Sequence, residues 1–77
     1  MNNQIDLPTE KFFPIKDNNE FLLRLIVGSH LSKFWVEADI VSKESHKIIY
    51  HLGSKHNIEN YFDSVQAGLS FYTKWKK

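Results

Sequence analysis

The chain contains no cysteine. Disulfides and thiolate metal sites are therefore excluded, and a chain without covalent staples suits a reducing compartment, so a cytoplasmic location is expected. An excess of one charge is also missing. Ten basic and nine acidic residues leave a formal net charge of +1, which gives no electrostatic reason to expect a nucleic-acid or membrane partner. No apolar run exceeds strand length, so none would span a bilayer. Met1 to Glu10 is polar and acidic, unlike a signal peptide or an anchor, and is expected to be flexible. No internal repeat or low-complexity stretch is visible.

What remains is 77 residues, enough for one domain. A chain this short buries roughly 60% to two-thirds of the surface its unfolded form exposes. Its core alone rarely supplies more than about 3–5 kcal/mol. With disulfides excluded, self-association is a common remaining source of stability, so a homodimer is expected.

Period-two alternation organises the middle of the chain. In 20–27, Phe21, Leu23, Leu25 and Val27 share one face, with Leu22, Arg24 and Ile26 on the other. In 33–42, Phe34, Val36, Ala38 and Ile40 alternate with Trp35, Glu37, Asp39 and Val41. A helix would scatter those charges over its apolar side, so a strand is predicted. In 47–52, Ile48, Tyr50 and Leu52 alternate with Ile49 and His51. Gly28-Ser29-His30, Ser42 to His46, and Gly53 to Asn57 read as turns. Such short connections favour antiparallel neighbours. Lys11 to Ile15 reads as an edge strand or an extended arm, because Pro14 cannot donate to a ladder.

The carboxy terminus reads as a helix over 64–76, capped by Asp63 or Ser64, with Gln66 close to a capping-box position. A start near Asn57 is the alternative. Val65, Leu69, Tyr72 and Trp75 should face the sheet. Gly68 should mark a close approach of helix and sheet, since glycine otherwise costs about 1 kcal/mol there. Lys74, Lys76 and Lys77 complement the helix dipole. The expected fold is α+β: a three- or four-stranded antiparallel meander with one carboxy-terminal helix on one face. The meander, Phe62-Asp63-Ser64-Val65-Gln66-Ala67 and Trp75 together resemble small bacterial β-β-β-α proteins with an F-x-S-x-x-A helix start. That resemblance implies the fold and carries no agreed function.

Four histidines invite a metal reading. His46, His51 and His56 are spaced by five, which sends His46 and His51 to opposite faces of a strand. His30 and His56 fall at the same end of the sheet. There is no His-x-His or HExxH pattern, so no metal and no cofactor are expected. Ser45-His46 and Ser54 with His56 lie in turns that favour such residues anyway. Glu37 and Asp39 share a face, as paired carboxylates for acid–base work would, but they read more simply as solvated groups near Arg24. A non-enzyme is expected.

Two binding surfaces stand out. The first is the face carrying Leu22, Arg24, Ile26, Trp35, Glu37, Asp39, Val41 and Ile49, with tryptophan as a natural interface anchor. Phe12 and Phe13 either cover this face within one subunit, join a dimer contact, or are exchanged between subunits. The expected function is a non-catalytic protein-interaction module, homodimeric, using the Trp35 face. The alternative is a nucleic-acid-binding module using Lys43, His46, Lys47, Lys74, Lys76 and Lys77. Against it, Glu37 and Asp39 would repel phosphates on the open sheet face.

Overall fold

The computed structural model describes residues 8–76. Most of the amino-terminal stretch expected to be flexible, and Lys77, lie outside the described residues. Four strands and one helix follow in order: β1 (Thr9–Ile15), β2 (Asn18–His30), β3 (Lys33–Ser42), β4 (Ile48–Ile58) and α1 (Tyr61–Lys76). The sheet is antiparallel in the order β1-β2-β3-β4, and α1 packs on one face. The α+β meander is as expected, with the strand option realised for Lys11 to Ile15. Pro14 sits in the edge strand β1, where its missing N–H costs no central hydrogen bond.

The helix-facing side follows the alternation. Leu23, Leu25, Val27, Val36, Ala38 and Ile40 are buried. Phe13, Phe21, Leu52, Val65, Leu69, Phe71 and Tyr72 pack around them. Gly68 marks the closest approach: a Cβ there would lie 2.8 Å from Leu25 Cδ2 and 3.1 Å from Val36 Cγ2.

Several boundaries differ from expectation, and two glycines explain most of it. Gly28 does not turn the chain. It stays in β2 because the Trp35 indole of the paired strand lies across it, in space a Cβ would fill. The turn comes later, at Leu31-Ser32, both with positive φ (51° and 67°). Likewise, β4 does not end at Leu52. Gly53 makes room for the Phe71 ring, 2.8 Å from where its Cβ would stand, and the strand continues to Ile58, which is buried.

The β3–β4 register shifts three times, once between Ile40 and Val41. A one-residue slip moves side chains to the other face. Ile48, expected in the core, pairs with Val41 and is 51% exposed. Tyr50, also expected in the core, is 53% exposed. The helix begins at Tyr61, between the two predicted starts. Its cap is Asn60, whose Oδ1 accepts from the Asp63 N–H at 2.8 Å, in place of Asp63 or Ser64.

α1 runs antiparallel to β4. Tyr61 lies against Phe34, opposite Ile58; Phe71 covers Gly53; Trp75 lies 6.1 Å from Tyr50, ring to ring. Trp75, expected to face the sheet, is 46% exposed where it overhangs the end of β4.

Candidate functional site

The face away from the helix is held together by ions. Cross-strand pairing sets Arg24 opposite Asp39 and Asp39 opposite His51, and directly opposed residues share a face. Asp39, expected to be solvated, is fully buried. Its Oδ2 accepts from Arg24 Nη2 at 2.9 Å and its Oδ1 from His51 Nδ1 at 2.7 Å. Arg24 also reaches Glu10 at 3.2 Å and Glu37 at 3.9 Å. Its Nε–H is buried without an acceptor among the described residues. The carboxylates are thus paired within one subunit.

Glu37 and Asp39 titrate in opposite directions. The hydrogen bond to Asp39 is the main force raising Glu37, joined by burial and by the Asp39 charge, against the opposing pull of His51 and Arg24. Burial alone would raise Asp39, but the hydrogen bonds from His51, Glu37 and Arg24 outweigh it and hold the carboxyl below its ordinary value. A shared proton on the Glu37 side fits both directions.

Glu37, Asp39 and His51 each offer a ligand atom within 4.8 Å of the others. Period-two alternation puts all three on the face opposite the core, but only the β3–β4 register brings His51 beside Asp39. The donor set suits a hard or borderline cation. Yet Arg24 is already hydrogen-bonded to Asp39 and lies 3.9 Å from Glu37, and that arrangement is an ion-pair network. Two clefts among the described residues lie away from this trio. One is lined by Phe21, Ser42, Lys43 and Ile49 among others, so Ile49, expected beside Trp35, stands at a different end of the sheet. His30 and His56 do share a small cleft, with Trp35.

The apolar residues of this face are partly covered from within. Phe12, opposite Arg24, stacks on His46 of the β3–β4 turn with ring centroids 4.3 Å apart. Val41 on the same face is fully buried, and Leu22, Ile26 and Trp35 are half-buried. Phe13 points the other way, into the core beneath the helix. Of the lysine-rich group, Lys43 and Lys47 flank the β3–β4 turn, and Lys74 and Lys76 reach the same end on the last helical turn. His46 is occupied by Phe12.

Large exposed apolar side chains stand at Leu31, at Phe62 and, as a group, along β4. Ile48, Ile49 and Tyr50 are each just over half exposed, with Trp75 alongside. β4 is an edge strand, hydrogen-bonded to β3 alone among the described residues. Comparison with known protein families, with curated proteins and with solved structures finds no match. Among the described residues, no helix is long and apolar enough to cross a membrane.

Proposed function

We propose that this chain is a non-catalytic protein-association module that works through its β4 edge. The observation that carries the reading is the exposed Tyr50–Trp75 pair on the helix side of the open β4 edge, with Ile48 exposed on the other face of the same strand. An open strand edge offers unpaired N–H and C=O groups to an added strand, and nearby apolar side chains supply specificity. The opposite edge is guarded: β1 carries Pro14, Glu10 and Lys11. The Trp35 face is the weaker contact surface, since its indole already lies on Gly28 and its charges are paired internally.

The test compares the wild-type chain with the Ile48→Lys, Tyr50→Lys double variant, in sedimentation of the pure protein and in cross-linking with cell extract. Loss of the wild-type complexes is expected in the variant. Complexes that survive both substitutions would refute the reading. The alternative of nucleic-acid binding draws on the lysines that the antiparallel helix brings to the β3–β4 turn. It requires an affinity for single- or double-stranded DNA that weakens with salt.

A further inference from the structure

Resting on the association reading above, we infer that the partner is a second copy of this chain, paired β4 to β4 antiparallel about a two-fold axis near Ser54. The axis falls there because Gly53, Ser54 and Lys55 form the regular run of β4. They pair with Ala38, Glu37 and Val36 in unbroken register, with irregularities on either side. Only a regular run presents evenly directed backbone groups to a new strand.

Antiparallel pairing about that point brings unlike ends of the edge together. Tyr50 of one copy falls opposite Ile58 of the other. The Tyr50–Trp75 pair then faces the partner's cleft between β4 and α1, which is lined by Lys55, Asn57, Ile58, Asp63, Gln66 and Ala67. Each copy owns one protrusion and one cleft, so the contact is made twice, as a two-fold interface demands.

Charge agrees with this arrangement. Asp63 stands at the cleft end beside Lys55, with Glu59 already paired to Lys33, while Lys47, Lys74 and Lys76 stand at the Tyr50 end. Asp63, Ala67, Ser70 and Lys74 recur at helical spacing on one side of α1. Asp63 and Ala67 line the β4-side cleft, which places Lys74 on that side too. Two helices laid antiparallel across the axis therefore set Asp63 against Lys74 of the other copy, with opposed dipoles.

Area agrees as well. Ile48, Ile49, Tyr50 and Trp75 are 51%, 53%, 53% and 46% exposed. Four such side chains offer on the order of 400 Å². That is about half of the ~800 Å² each partner contributes to a stable interface, with the β4 backbone and the facing sides of the helices available for the rest.

The experiment uses the absence of cysteine. Ser54→Cys gives a single thiol, and directly opposed antiparallel residues lie within disulfide reach. Under mild oxidation Ser54→Cys should become a covalent dimer, while Thr73→Cys, on the outer face of the helix, should not. In sedimentation, Asp63→Lys should weaken the wild-type dimer at least tenfold, and adding Lys74→Asp should restore most of it. Circular dichroism checks that each variant is folded. A wild-type chain that stays monomeric up to millimolar concentration overturns the self-pairing but leaves association with another protein's strand standing. A dimer that ignores Tyr50→Lys and yields no Ser54→Cys cross-link overturns both.

Discussion

Replacing Asp39 with alanine removes the charge on which three strands converge. Asp39 is fully buried and accepts from Arg24 at 2.9 Å and His51 at 2.7 Å. Breaking a buried pair from one side typically costs about 3–5 kcal/mol, because the remaining charge loses its counter-ion. Here Arg24 keeps Glu10 at 3.2 Å and Glu37 at 3.9 Å, which points to the lower end, about 3 kcal/mol. Domains of this size have roughly 4–12 kcal/mol in total. A loss of ~3 kcal/mol lowers the melting temperature by roughly 12–24 °C. Urea unfolding at pH 7, followed by circular dichroism, measures it. The pH dependence gives a second readout. Asp39 is held below its ordinary value, so its contribution is complete above about pH 4 and is lost as pH falls through the lowered native value. Glu37 runs the other way: raised in the native state, it favours folding most below about pH 4.3 and loses that contribution as pH rises through its native value. Asp39→Asn should therefore flatten the acid limb of stability against pH, and Glu37→Gln should gain on the wild type between pH 4 and 7. An Asp39→Ala variant within about 0.5 kcal/mol of the wild type, the usual range for inconsequential surface changes, would refute a structural role for the network.

Two further substitutions test the backbone reading. Leu31 and Ser32 both hold positive φ in a two-residue hairpin, and Leu31 is 83% exposed, so Leu31→Asn with Ser32→Gly should raise stability by about 1 kcal/mol in urea unfolding. Gly68→Ala should lower it by about 1–2 kcal/mol, because the clash with Leu25 and Val36 outweighs the gain of up to ~1 kcal/mol in helix propensity.

Alternation made the core legible wherever strands paired in simple register. Leu23, Leu25, Val27, Val36, Ala38 and Ile40 all follow from it, because one face is wholly apolar over 21–27 of β2 and 34–40 of β3. The same rule misplaced Ile48 and Ile49, where a register shift breaks the period. Glycine misled at two positions for one reason. Gly28 and Gly53 resemble turn residues, yet each is a gap filled by an aromatic ring, Trp35 or Phe71, that sequence spacing does not bring near. The Glu37–Asp39–His51 grouping depends on the β3–β4 register, so no local pattern announces it.

The register shifts that obscure β4 also bear on what the edge can do. A long, flat, regular edge would accept any strand and carry the hazard of open-ended growth. β4 is interrupted on both sides of Gly53 to Lys55, so any added strand meets a short regular stretch between irregular flanks. Those flanks differ: one bears exposed isoleucines and the Tyr50–Trp75 pair, the other a cleft with acidic groups. Selectivity at such an edge comes less from backbone hydrogen bonds, which any chain can supply, than from matching the two ends. At the far edge, β1 carries Pro14, which cannot donate to a ladder, together with charged Glu10 and Lys11. Self-pairing through β4 would therefore stop at the dimer, because both edges left exposed by it are β1.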